Sequence, residues 1–236
     1  MSEARLDLEK VFDRSGAIAR PSYRRLAREV WAGIAFRPSP PGRDGIPDGR
    51  GHRVLVVPAF LTADPVTRYL RRFLVACGYR PSGWGLGVNW GPTPGVLAGL
   101  RRRLDNLAAL EGGPVSVIGV SLGGLLARDL AFDRAGQVRQ VITIGTPVSL
   151  PTSSTLEPLF RVFAPFYHQA SDIDRVTRPL PVPFTSIHTR EDGLVAWQSC
   201  RTGDAACDIE VAGPHITLCR NPRVLAAVAR RLGGVG

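Results

Sequence analysis

Lysine is nearly missing from this chain: Lys10 is the only one, although 30 residues are basic. Against 20 acidic residues this leaves a formal net charge of +10, carried by arginine. The arginines are scattered, and the longest block is the run of three at 101–103. No nucleic-acid motif accompanies them, so nucleic acid is not an expected partner. The charge reads as a solvated basic surface, with an anionic partner such as a membrane as the alternative. Long apolar runs are also missing: nothing approaches the roughly 18 residues of a membrane span. The opening MSEARLDLEK is charged and lacks the apolar core of a signal peptide. A cytoplasmic protein is therefore expected.

Cysteine is scarce and irregularly spaced. Cys77, Cys200, Cys207 and Cys219 suit neither a disulfide framework nor a zinc site. Cys77 and Cys219 read as small core residues. Cys200 and Cys207 are near enough to meet across a loop, but a reducing compartment argues against a permanent bridge. Phosphate-binding signals are missing as well. No G-K-[ST] closes a loop, and no GxGxxG follows the first strand, so a phosphate-binding loop is not expected.

What the chain does have is 236 residues with 44% hydrophobic content, enough for one sizeable core. The division expected is an N-terminal helix and Pro/Gly-rich linker over 1–50, then one domain over 51–236. Tyr23, Leu26, Val30, Trp31 and Ile34 stand at helical spacing in 21–36, behind Pro21. That helix docks on the main domain, caps a pocket, or makes peripheral contact with a membrane. RPSPPGRDGIPDGRG cannot continue it.

From there strands and helices alternate. RVLVVPAF (53–60) is a valine-rich run suited to a strand buried on both faces. Asp64 is expected to cap the helix that follows and Gly78 to end it. A weaker strand covers YRPSGWGL, a helix 95–110, a strand PVSVIGV, a helix from Ser121 to about Phe132, and a strand 138–145. Later come strands at PFTSIHT and CDIEVAG (207–213) and a helix at 222–232. Such alternation means parallel pairing, because a parallel return needs a crossover long enough to hold a helix. The expected fold class is thus α/β, a mostly parallel central sheet with helices on both faces. Ligands in such sheets sit beyond the carboxyl ends of the strands.

GVSLGG (119–124) lies at such an end. A serine hydroxyl is barely ionised at neutral pH, so it needs a base and must project from the backbone. A sharp strand-to-helix turn makes it project, and Gly119 and Gly123 remove side chains that would collide across that turn. The backbone N–H of Leu122, at the start of the helix, is a natural oxyanion donor. The alternative is a plain glycine-rich turn. The base candidate is His215 in EVAGPHITL, at another strand end. His52 falls in the linker, His168 in an insert, and His188 inside a strand. Asp192, in the turn after PFTSIHT, is placed to orient His215 and stabilise its cation, with Glu191 as the adjacent alternative.

The order Ser121, Asp192, His215 differs from that of chymotrypsin-like and subtilisin-like proteases. The set VLVVPAFLTAD, GWGLGVNWGPT, VSVIGVSLGGLLAR, VITIGTPV, HTREDGLVAW and GPHITLCRNPRVL resembles the α/β-hydrolase superfamily, more closely its bacterial lipase- and esterase-like members. The resemblance runs from about residue 53 to the C-terminus. It implies Ser121 as nucleophile, His215 as base, Asp192 as orienting acid and the Phe60 N–H as second oxyanion donor, with Leu61 the competing donor. Pro58-Ala59 stands where lipases often carry His-Gly.

It also implies a cap or lid in the insertion at about 147–181. There TLEPLFRVFAPFYHQA carries Leu156, Leu159, Phe160, Val162, Phe163, Phe166 and Tyr167. The other reading is a helix that simply covers the sheet. Leu61, Leu159, Phe163 and Phe166 are the expected substrate contacts. The implied activity is hydrolysis of a carboxylic ester or lipid through an acyl-enzyme, for which neither metal nor organic cofactor is expected. An acyltransferase, thioesterase or amidase on the same residues, and a non-catalytic lipid-binding protein, are the rivals.

Overall fold

The computed structural model describes residues 11–12, 15–37, 39, 41–42, 45–163, 175 and 178–234. Six strands form one sheet: β1 (Arg53–Val57), β2 (Arg80–Gly83), β3 (Val115–Val120), β4 (Val138–Ile144), β5 (Phe184–His188) and β6 (Asp208–Glu210). The order across it is β2-β1-β3-β4-β5-β6, and every neighbouring pair is parallel. The helices are α1 (Tyr23–Ala35), α2 (Arg68–Ala76), α3 (Pro94–Glu111), α4 (Leu122–Asp133), α5 (Glu157–Phe163) and α6 (Pro222–Gly233).

Side chains alternate across the central strands, so each strand feeds two cores. Val54, Val56, Ile118, Ile142 and Ile187 face α2 and α6, packing with Leu70, Leu74, Leu225 and Val228. Leu55, Val57, Val117 and Val141 face α3 and α4, packing with Leu100, Leu104, Leu126 and Leu130. Strands buried on both sides favour apolar residues at most positions, which is why the central strands read as runs rich in valine and isoleucine. Local signals delimit the helices. Thr93 Oγ1 accepts the Val96 N–H at the start of α3, and Gly112, at φ 72°, ends it in the left-handed conformation.

Several expectations are corrected. Asp64 does not cap α2; its carboxylate accepts the N–H groups of Trp84 and Gly85 at 3.0 and 3.1 Å, and a 3-10 turn over Asp64–Thr67 precedes the helix. β2 and β6 are shorter than their apolar runs. The cysteines need no such correction: all four are free thiols, Cys200 and Cys207 included. The apolar spacing of α1 also misleads. The helix packs on the domain through Glu29, while Tyr23, Trp31 and Ile34 are 78%, 70% and 73% exposed. Among the described residues, no helix is long and apolar enough to cross a membrane.

Candidate active site

Ser121 stands between the last residue of β3 and the first of α4 with φ 51° and ψ −124°. L-residues rarely hold this conformation, and it persists only where its surroundings enforce it. Here the enforcement is visible. The Ser121 N–H donates to Ile144 O at 2.8 Å, and its carbonyl accepts the Thr146 hydroxyl at 2.8 Å and the Gly124 N–H at 2.9 Å. A methyl group at Gly123 would stand 2.5 Å from both the Val57 and Pro58 carbonyl oxygens, so only glycine lets the elbow close on β1.

His215 opens a 3-10 turn beyond β6, and Asp192 lies in the turn after β5. They meet at 2.6 Å between Nδ1 and Oδ2, with Asp192 1% and His215 7% exposed. In the tautomer where Nδ1 donates to this carboxylate, Nε2 presents its lone pair. Asp192 Oδ1 accepts the N–H groups of Leu194 and Val195 at 2.9 and 2.7 Å, which fixes the carboxylate. Burial lowers the imidazole pKa, but the charge and hydrogen bond of Asp192 and the charge of Glu29 outweigh it, so the pKa stands above the usual 6.5. The ring packs on Gly145, the residue after Ile144. Ile144 O in turn accepts the Ser121 N–H, so ring and serine meet the same stretch of backbone, and no hydrogen bond joins the two. Such contacts often tighten only once a substrate is bound.

Across from the elbow runs the loop after β1. The Leu61 N–H is taken by Asn89 O at 2.8 Å, whereas the N–H groups of Phe60 and Leu122 donate to no described residue. That favours Phe60 over Leu61 as the partner of Leu122. Asn89 is fully buried and ties the loop down: its Nδ2 donates to Pro58 O at 2.7 Å, and its N–H to Thr62 O at 2.8 Å.

Ser121 and Leu122 border an apolar cavity of about 70 Å3, walled by Phe12, Phe60, Leu125, Leu156, Phe160 and Val195. Of the expected substrate contacts, Leu61 and Leu159 do not line this cavity and are partly exposed. Phe163 stands one layer out, its ring 5.6 Å from Phe60 and 5.8 Å from Trp90. Phe166, Tyr167 and His168 lie outside the described residues. The wall residues Leu156 and Phe160 come from the same insert, but Phe12 and Asn89 carried no sequence signal.

No family model matches this chain, and no curated protein does. Solved structures do. A monoacylglycerol lipase from Paleococcus ferrophilus superposes with a TM-score of 0.56 at 15% identity, covering 80% of this chain and 96% of its own. A thermophilic esterase from Thermogutta terrifontis gives 0.53 at 16%, covering 80% and 92%. A thioesterase domain from the curacin biosynthetic pathway gives 0.54 at 13%, covering 79% and 92%.

The chain has the α/β-hydrolase fold.

On that fold, the candidate residues occupy the carboxyl ends of β3, β5 and β6 together. The other described histidines sit elsewhere. His52 is held by Glu111 and Ser116 at 2.8 and 2.9 Å, and His188 stacks on Trp197. Glu191, the alternative acid, pairs instead with Arg28 at 2.6 Å. Among the described residues, no group of three His, Cys, Asp or Glu side chains is placed to hold a metal ion.

Proposed function

We propose that this protein is a serine hydrolase of carboxylic esters, with Ser121, His215 and Asp192 as its triad. The observation that carries this reading is the strained Ser121 at the edge of an apolar cavity, on the same end of the sheet as a buried, hydrogen-bonded His215–Asp192 pair. Ser121 Oγ attacks the acyl carbonyl carbon while His215 Nε2 takes its proton. The N–H groups of Leu122 and Phe60 hold the oxygen that becomes negative. The bond from the acyl carbon to the alcohol oxygen then breaks, and His215 returns the proton to the departing alkoxide. Water repeats the sequence on the acyl-enzyme, giving its proton to His215 as it attacks. The acid is released and Ser121 leaves with the proton. Asp192 stays ionised and steadies the imidazolium.

A cavity of about 70 Å3 is far below the ~300–1,000 Å3 of sites for drug-sized ligands. The acyl group proposed is accordingly short and apolar. The lipase, esterase and thioesterase among the structural neighbours are in keeping with acyl transfer from an ester or thioester. The test is labelling with a fluorophosphonate probe, together with a panel of p-nitrophenyl esters. Wild type labels and hydrolyses the short esters, and Ser121→Ala does neither. Absence of labelling in folded wild type rejects the reading. Adding a competing alcohol and following the new ester separates hydrolysis from transfer.

A further inference from the structure

Glu29 is 1% exposed, and its carboxylate forms no ion pair with a described residue; three backbone N–H groups surround it. Oε1 accepts from Gly193 and from His215, both at 2.8 Å, and Oε2 accepts from Ile216 at 2.9 Å. Gly193 follows Asp192 directly, and His215 is the base itself. One side chain from α1 therefore ties the turn carrying the acid to the turn carrying the base. Charge-assisted bonds of this kind are among the stronger ones, and burying a carboxylate is tolerable only when its lone pairs are met. The fit is close: a methyl group at Gly193 would lie 2.7 Å from Glu29 Cγ and 2.8 Å from Arg25 O. Arg25 donates to Arg190 O at 2.9 Å and Arg28 pairs with Glu191, so the helix grips the acid turn along two of its turns.

We propose that Glu29 is a positioning residue that sets the Asp192–His215 geometry from outside the sheet. This rests on the hydrolase reading. It acts by fixing the separation of two turns, and its charge adds to that of Asp192 in favouring the protonated imidazole. Glu29 touches neither the cavity nor Ser121, so its loss falls on kcat and not on KM.

The experiment compares full-length wild type, Glu29→Ala and Glu29→Gln on p-nitrophenyl acetate, with active sites titrated by fluorophosphonate. Glu29→Ala lowers kcat about 10- to 100-fold, the scale of a small misplacement of reacting groups, with KM within about twofold. Glu29→Gln keeps an oxygen for Gly193 and His215 but loses the charge, so its kcat falls less and the acid limb of its pH profile moves to lower pH. Should Glu29→Ala fail to fold, the glutamine variant carries the test. Wild-type kcat and pH profile in Glu29→Gln would overturn the proposal, even with a lowered Tm. Unlabelled wild type would instead reject the hydrolase reading beneath it.

A second inference rests on the opposite face of α1. Tyr23, Ala27, Val30, Trp31 and Ile34 form a continuous exposed stripe flanked by Arg24 and Arg28. Beside it, past Gly33, opens a cleft of about 450 Å3 lined by Val66, Arg68, Tyr69, Arg72, Ile216 and Arg220 and containing no acidic residue in its walls. Arg220 bridges the two, donating to Gly33 O at 3.3 Å and covering the Phe36 ring. Apolar and aromatic side chains ringed by arginine match an anionic bilayer surface. The geometry points to this face as a docking surface for such a bilayer.

Sedimentation with vesicles of phosphatidylcholine, with and without phosphatidylglycerol, tests it. Wild type pellets with the anionic vesicles only. Binding falls about tenfold or more in Arg68→Gln/Arg72→Gln and in Trp31→Ala/Ile34→Ala. Equal pelleting with both vesicle types, no pelleting, or unchanged binding in the variants overturns it.

Discussion

The Asn89 side-chain amide donates to the Pro58 carbonyl oxygen at 2.7 Å, joining the turn-rich segment after β2 to the loop after β1. The bond ties down the loop that carries Phe60, the second oxyanion donor in the proposed mechanism. Removing it in Asn89→Ala is expected to cost about 1–3 kcal/mol of stability, the usual penalty for a lost buried partner. It also lowers kcat on a short ester more than it raises KM, because an oxyanion donor acts mainly in the transition state. Urea unfolding and steady-state kinetics on one preparation check both.

Asp192→Asn keeps the shape of the Asp192–His215 contact but can present an amide N–H2 to Nδ1. The ring then turns its proton to Nε2, where a lone pair is needed. A loss in kcat of about 10⁴-fold is expected, as for other triads on which this substitution acts through the tautomer. Labelling by fluorophosphonate slows in step, and the Tm moves little by comparison.

The raised pKa of His215 has two consequences of definite sign. As a base the imidazole must be neutral, so kcat/KM rises with pH through a midpoint above 6.5. A group whose pKa is raised on folding contributes stability when protonated. That contribution is fully present below 6.5 and is lost as pH climbs through the higher folded value. Rate profiles and urea midpoints taken across the acid and neutral range report the two effects independently.

Phe160 lines the cavity that Ser121 borders, against Phe12 and Phe60 at 6.2 and 5.6 Å between ring centroids. Phe160→Ala opens that wall. The ratio of kcat/KM for an octanoyl ester to that for a butyryl ester is expected to rise roughly tenfold or more, the discrimination that one or two methylenes in an apolar pocket supply. A p-nitrophenyl ester panel measures it.

The strand and helix order was legible because each doubly buried strand is an apolar run set between turn residues, as in Val115–Val120. Ser121 was legible for a related reason, since the elbow is local and its glycines show in six residues. Contacts between distant segments left no such trace. Glu29 looks like one more charge on an amphipathic helix, and only the fold brings Gly193, His215 and Ile216 to it. The outward stripe of α1 resembles a packing face in the sequence, because helical spacing records periodicity and not what covers it. Leu159 and Phe160 differ by one residue, yet one helical step turns a side chain by about 100° and takes it off the cavity wall. Phe12 reaches that wall through a bridge to Thr152, a pairing no local pattern announces.

The six-stranded sheet begins with β1, whose first residue is Arg53. An expression fragment cut at that strand would keep Ser121, Asp192 and His215 while discarding α1. The N–H groups of Gly193, His215 and Ile216 would then lose their shared acceptor. The start of the sheet is therefore not the place to cut, and a trimmed version of this protein should begin ahead of Tyr23.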